Sequence, residues 1–377
     1  MRDIFSETEI GGITLPSRFV RSATHMRMAN DEGSISQREI DLYRRLSRSG
    51  VGLIVMGHAY IRRDGKCSIR MIGIDTDEKI SGFASCAKAV HESGEAKLVA
   101  QINHGGANVP EYLRSSVLLD HYGTLLAPSL RNDVPEAKAM TEEQAEELVQ
   151  AYVDAAERAQ EAGLDGVQVH CAHGYLMNQM LSPATNRRTD AYGGDIEGRS
   201  LFLKRVISGI REATGPDFPI LIKIASHDRL PFGLTVEDSI RAARAVEALG
   251  VCAVEVSGGM PGQMNTRKPI KEEHEGFFQK QAVRFRQSLK VPIISVSGYR
   301  TLTKMQDVLD RGYADLISLS RPFIREPDLV ASFREGKSSK AECISCNLCL
   351  KRREAPVQCW DKKNAIDHVS SLPHGKE

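Results

Sequence analysis

TEEQAEELVQAYVDAAERAQEAGLDGVQVHCAHGY, residues 141–175, holds one repeat of an architecture in a single stretch. Thr141 followed three residues later by Gln144 is a capping-box signature, and Gly163 supplies a left-handed stop, so 141–163 reads as a helix. GVQVHC (166–171) then reads as a strand. Its apolar run lacks strict polar alternation, as expected of a strand covered on both faces in a parallel sheet. The strand runs directly into His170, His173 and Tyr175, three titratable side chains within six residues.

The same alternation extends in both directions. Further strands are predicted at RFVRSAT (18–24), GLIVMGHAYI (52–61), KLVAQINH (97–104), PILIKIAS (219–226), AVEVSG (253–258), PIISVSG (292–298) and LISLSR (316–321). Helical patterns fall between them, as in ISQREIDLYRRLSRSG, EDSIRAARAVEALG and TKMQDVLDRG, each ending at a glycine. Eight strands alternating with helices over 377 residues predict a (β/α)₈ TIM barrel, with a doubly wound sheet as the rival. The expected division is a barrel over residues 1–337 and a cysteine-rich segment over 338–377. The long inserts at about 105–140 and 259–275 are expected to lie over the C-terminal face of the barrel.

Composition narrows the function. A net charge of +1, with no long basic or acidic run, argues against nucleic acid and charged membrane surfaces as partners. The polar N-terminus MRDIFSETEIGGITL lacks the apolar region of a signal peptide, and no run approaches a membrane span, so a cytoplasmic location is expected.

In a barrel the polar residues at the C-terminal ends of strands are the candidates for chemistry. Those positions hold Ala23, Thr24 and His25; Gly57 and His58; Gln101 and His104; His170, His173 and Tyr175; Lys223; Gly298; and Ser320 with Arg321. A lone histidine there is more often a satisfied structural residue, and His25, His58 and His104 each carry that reading. His170 and His173 could donate hydrogen bonds to a developing anion, and Tyr175 could supply a proton. Gly298 and Ser320–Arg321 suggest a phosphate site, or equally a plain turn and a surface arginine.

Cys343, Cys346 and Cys349 are spaced C-x₂-C-x₂-C, and Cys359 follows nine residues later. Without an export signal this clustering favours metal over disulfides. A [4Fe–4S] cluster, a structural zinc ion and an unmetallated loop all stay open on spacing.

The segment HCAHGYLMNQMLSPATNRRTDAYGGDIEGRSLF (170–202) closely resembles the signature of the Old Yellow Enzyme family of FMN oxidoreductases, with Met180 where phenylalanine is usual. LPSRFVRSAT, GLIVMG, QINHGG and GYADLISLSRPFIREPDL agree in order, so the resemblance runs from about residue 3 to 335. It implies FMN as cofactor and a ping-pong reaction. A reduced nicotinamide, NADH or NADPH, would reduce the flavin, which then passes hydride to the β-carbon of an α,β-unsaturated carbonyl compound.

By the same resemblance Ala23, Thr24 and Gly57 lie against the isoalloxazine, and Gln101 bonds its pyrimidine edge. Lys223 takes the place of a family arginine there, keeping the charge without the bidentate fork. Gly298, Ser320 and Arg321 take the phosphate, with Ser320 where glycine is typical. His170 and His173 hold the substrate oxygen and Tyr175 protonates the α-carbon. His25, where threonine or cysteine is better known, resembles the branch containing dienoyl-CoA reductase, 2-enoate reductase and trimethylamine dehydrogenase. That branch binds [4Fe–4S] through a motif like Cys343, Cys346, Cys349 and Cys359, although its last gap is generally longer.

A cluster would pass single electrons, which makes an electron-carrier protein or partner subunit a plausible donor. A homo-oligomer is equally compatible with the sequence. Three rivals follow. An amine dehydrogenase would bind its cation in an aromatic cage, yet the single tryptophan, Trp360, lies beyond the barrel. A non-catalytic electron-transfer subunit would use the same cofactors. A flavin-free lyase or isomerase would use Lys223 as a Schiff base.

Overall fold

The computed structural model describes residues 2–110, 124–259, 272–352 and 354–361. All eight predicted strands are present: β1 (Phe19–Arg21), β2 (Leu53–Val55), β3 (Lys97–Asn103), β4 (Val167–Cys171), β5 (Ile220–Ala225), β6 (Val251–Ser257), β7 (Ile293–Val296) and β8 (Leu316–Leu319). Each pairs in parallel with its sequence neighbours, and β8 returns to β1 with Ser318 opposite Val20, closing the ring. The doubly wound alternative is therefore excluded, and the architecture is a (β/α)₈ barrel.

Outer helices follow the strands: α1 (Gln37–Arg48), α2 (Ile80–His91), α3 (Glu142–Glu161), α4 (Leu201–Thr214), α5 (Val236–Glu247), α6 (Gln279–Ser288), α7 (Leu302–Asp310) and α8 (Leu329–Arg334). The capping box of α3 is formed as read. Thr141 Oγ1 accepts from the Gln144 amide at 3.1 Å, and Gln144 Oε1 accepts from the Thr141 amide at 3.0 Å. Gly163, at φ +73°, ends the helix in the left-handed region that a side chain would strain. Among the described residues no helix is long and apolar enough to cross a membrane.

The two-residue period of the strands sorts the core into an outer and an inner part. Leu98, Ala100 and Ile102 of β3, and Ile220, Ile222 and Ile224 of β5, face the helices. Val20, Leu53, Val99, Leu221, Ala253, Ile294 and Leu316 fill the barrel, each fully buried, which is worth roughly 1.5–3 kcal/mol for a leucine or valine. A hairpin of Thr8–Ile10 and Ile13–Leu15 plugs the bottom with Ile10 and Leu15.

Two residues further along the same inward faces the chemistry changes. Val99 is followed by Gln101, Leu221 by Lys223, Ala253 by Glu255 and Leu316 by Ser318, all buried. An apolar floor thus carries a polar layer, and the site stands on that layer.

The cysteine-rich segment packs against the barrel. The Ala341 amide bonds the Arg300 carbonyl at 2.8 Å, the Val357 amide bonds the Met26 carbonyl at 2.8 Å, and Cys349 and Val357 share an apolar cluster with Met26. Parts of the two expected face loops, 111–123 and 260–271, lie outside the described residues, as does the tail from 362.

Candidate active site

β4 aims His170 inward, and the chain then turns sharply. His173 adopts φ +62° and Gly174 φ +75°, so two successive left-handed residues fold the segment back before Tyr175 caps the short helix Leu176–Leu181. The His173 carbonyl accepts from Asn108 Nδ2 at 3.1 Å and the Gly174 amide donates to Asn178 Oδ1 at 2.8 Å, which holds the turn in place. The three predicted side chains come together. The His170 ring centroid is 5.1 Å from that of His173 and 5.2 Å from that of Tyr175. His170 is buried, and its Nδ1 has no hydrogen-bond partner among the described residues, while His173 Nε2 lies 2.8 Å from Ser257 Oγ.

His58 joins this group, 5.1 Å from Tyr175 and 6.1 Å from His170, and Asn103 Nδ2 bonds its Nδ1 at 3.1 Å. His25 stacks edge-on against His58 at 5.3 Å, with its Nε2 on Ser68 Oγ at 2.8 Å. Two of the three singly placed histidines therefore belong to the cluster. His104 does not: its Nε2 meets Asp64 at 3.1 Å and its Nδ1 accepts the Gly106 amide at 3.1 Å.

Burial, reinforced by the Lys223 charge, pushes His58 down to about 4 and His173 down to about 3. His170 falls well below the ordinary histidine value through burial and its neighbours His173, His58 and Lys223, and His25 does so through burial and His58. The imidazoles are neutral at physiological pH, each with one N–H to donate. Tyr175 is held well above the ordinary phenol value by burial and by Cys67, so it keeps its proton.

Beside this cluster lies an open cavity of about 270 Å³. Seven predicted residues line it: Ala23, Thr24, His173, Lys223, Gly298, Ser320 and Arg321. Ser320 Oγ lies 2.7 Å from Thr24 Oγ1, which ties the end of β8 to the end of β1. Gly57 approaches Thr24 so closely that a Cβ there would stand 2.9 Å from the Thr24 carbonyl oxygen. Gln101 is buried in the polar layer, where its Nε2 donates to Gln168 Oε1 at 2.7 Å.

Lys223 is not a lone cation. Its Nζ donates to Ser22 Oγ at 2.7 Å and to Glu255 at 3.2 Å, the latter an ion pair. Glu255 and Gln168 were not anticipated from the sequence, nor were Ser257 or Cys67. A signal for Glu255 existed in its parity within AVEVSG, because a strand whose Ala253 fills the barrel must send Glu255 into it as well.

Arg321 Nη1 bonds Asn347 Oδ1 at 2.5 Å, reaching from the large cavity to the cysteine loop. A second, small cavity of about 20 Å³ shares Arg321, Ile324, Ser345 and Asn347 with the first, and Cys343, Cys346, Cys349 and Cys359 all line it. Arg325 Nη1 donates to Cys359 Sγ at 3.4 Å. Burial raises Cys343 above the ordinary thiol value and pushes Cys349 up to about 11. Among the described residues no three His, Cys, Asp or Glu side chains gather closely enough to hold a metal ion.

Residues 3–340 match the NADH:flavin oxidoreductase / NADH oxidase family. The chain belongs to that family. It is 33% identical to the NADH oxidase of Thermoanaerobacter brockii over 92% of this chain and 53% of that protein. Its fold matches a 2-naphthoyl-CoA reductase bound to 2-naphthoyl-CoA with a TM-score of 0.84, at 25% identity over 94% of this chain and 56% of the other. It matches the old yellow enzyme homologue from Zymomonas mobilis with a TM-score of 0.76, at 25% identity over 91% and 96%. The chain thus spans about half the length of the first two. It is a member of a flavin oxidoreductase family, as the sequence resemblance implied. The Schiff-base rival loses its footing on two counts, since Lys223 is ion-paired to Glu255 and the family is flavin-dependent.

Proposed function

We propose that this NADH:flavin oxidoreductase is an FMN-dependent ene reductase, saturating the C=C bond of an enone, enoate or enoyl thioester. The convergence of His170, His173 and Tyr175 at the edge of a cavity lined by Lys223 and Arg321 carries the reading. The cavity has the mixed polar and apolar lining expected of a cofactor site. Gly298, Ser320 and Arg321 would hold the FMN phosphate. Ala23, Thr24, His25 and Gly57 would flank the ring, with Gln101 and Lys223 at its pyrimidine edge. FMN bound there supplies the redox chemistry, accepting electrons from NADH or NADPH and delivering hydride.

The protein's own part is orientation and proton supply. The substrate carbonyl oxygen accepts N–H bonds from neutral His170 and His173, and the unpartnered Nδ1 of His170 and the Ser257-anchored ring of His173 suit that task. Donors fixed before the substrate arrives cost little reorganisation as charge builds on that oxygen. Tyr175, kept protonated by burial, gives its phenolic proton to the α-carbon.

The cysteine segment, taken as a unit beginning near residue 338, is proposed to hold a [4Fe–4S] cluster through Cys343, Cys346, Cys349 and Cys359. The C-x₂-C-x₂-C spacing and the shared lining of one small cavity by all four thiols support that reading. The cluster would exchange single electrons with a carrier protein or partner subunit.

The deciding experiment is anaerobic purification with FMN, iron, acid-labile sulfide and zinc quantified, followed by an enone and enoyl-CoA panel with NADH, NADPH and a reduced ferredoxin. Bound FMN that is reoxidised by an unsaturated carbonyl compound is expected. FMN that is reduced by an amine, or that once reduced is reoxidised by no unsaturated carbonyl compound, would overturn the ene-reductase reading, and zinc without iron would overturn the cluster.

A further inference from the structure

The polar layer under the cavity converges on one side chain. Glu255 is fully buried, and four donors meet it: Ser22 Oγ at 2.7 Å, Ser318 Oγ at 2.8 Å and Lys223 Nζ at 3.2 Å on Oε1, with Gln168 Nε2 at 3.1 Å on Oε2. Burial alone would push this carboxyl upward, but Lys223, Ser22, Ser318 and Gln168 outweigh it and hold it below its ordinary value. It is therefore an ionised group that accepts and cannot donate.

That restriction propagates. Gln168 must turn its nitrogen to Glu255, so its oxygen faces the other way and accepts from Gln101 Nε2 at 2.7 Å. Strand register makes the chain direct, with Gln101 opposite Gln168 and Lys223 opposite Glu255. The Gln101 amide thereby has one N–H committed, leaving its oxygen and its second N–H for whatever lies beyond.

We infer that Glu255 is a positioning residue for the flavin, which balances the Lys223 charge and, through Gln168, fixes which end of the Gln101 amide meets the pyrimidine ring. The inference rests on the proposed FMN site. A flavin pyrimidine presents an imide N–H between two carbonyls, so an amide of fixed direction accepts from the one and donates to another, whereas a reversed amide opposes donor to donor. Negative charge on the same ring is favoured by Lys223, and a carboxylate 3.2 Å behind that ammonium weakens the effect.

The test uses the full chain and separates these two actions. Sulfite adds to oxidised flavin and leaves negative charge on the pyrimidine ring, so its affinity reports the Lys223 field. In FMN-loaded protein, Glu255→Gln is expected to tighten sulfite at least tenfold and to shift the flavin midpoint potential positive. In a Lys223→Met background the same change should move sulfite affinity less than twofold. Gln168→Leu keeps the ion pair and breaks the amide chain, so FMN binding should weaken at least tenfold with sulfite affinity within twofold of wild type.

Unchanged sulfite affinity in Glu255→Gln, or an equal shift without Lys223, would overturn the charge-balancing role. Wild-type FMN affinity in Gln168→Leu would overturn the amide relay, and this arm stands if Glu255→Gln does not fold. Wild-type protein that takes up no FMN would instead bring down the flavin site on which both depend.

Discussion

At Tyr175 the proposed chemistry reduces to one proton. Its hydroxyl is kept protonated by burial and by its neighbour Cys67, and its ring stands 5.2 Å from His170 and 5.1 Å from His58. Tyr175→Phe keeps the packing and removes the proton, so turnover of the true substrate should drop roughly 10²–10⁴-fold. Flavin reduction by nicotinamide should be unaffected, and stopped-flow measurement of the two half-reactions separates them. Equal slowing of both would argue for a structural role. His173 adds a conformational constraint, because its φ of +62° suits asparagine far better than a β-branched residue. His173→Asn retains an N–H donor in the same backbone shape and should keep most substrate affinity. His173→Val should lose that affinity and also destabilise the fold by about 1–3 kcal/mol, readable as a lower denaturation midpoint. Should both variants bind substrate equally well, the clamp would not involve this side chain.

At the level of elements, legibility followed periodicity. The strands and the α3 capping box were readable because buried parallel strands and helix caps leave local signatures, Thr141–Gln144 among them. Thr141→Ala should cost about 1 kcal/mol of unfolding free energy with unchanged flavin binding, and a chemical denaturation curve for the pair measures it. A cost near zero would mean that packing of α3 on α4, rather than its cap, sets its start. The candidate site was legible only in part. Lys223 could be named as a cation at a strand end, but its pairing with Glu255 arises from barrel closure, which brings β5 beside β6 in a register no local pattern states. His58 reads alone as an ordinary core histidine, and becomes a site residue only when β2 is set near the ends of β1 and β4, bringing His25, His170 and Tyr175 around it. The Arg321–Asn347 bond likewise joins two motifs that the sequence presents separately.

For the whole molecule, one buried ionisable group links stability to pH. Glu39 on α1 accepts from Tyr43 Oη at 3.0 Å, and Tyr43 Oη accepts the Gly57 amide at 3.1 Å, so the helix is fastened to the end of β2 beneath the proposed flavin ring. Arg21 and Cys86 are titratable neighbours as well, yet among the described residues Glu39 Oε2 and Arg21 Nε have no hydrogen-bond partners. Burial, only partly opposed by Tyr43 and Arg21, raises Glu39 from 4.5 to about 7. The sign follows from proton uptake. Between those two values the folded protein holds a proton that the unfolded chain releases, so stability declines as pH rises through the window. Above about pH 7 the full penalty is present, on the order of 3 kcal/mol, and below 4.5 it vanishes. Glu39→Gln keeps an acceptor for Tyr43 without a charge to bury. It should therefore melt above wild type at pH 8, with the advantage shrinking steadily toward pH 5. Melting curves that stay parallel across that range would show that Glu39 is already paired as an ion with Arg21, and that the helix–barrel joint carries no pH dependence of this kind.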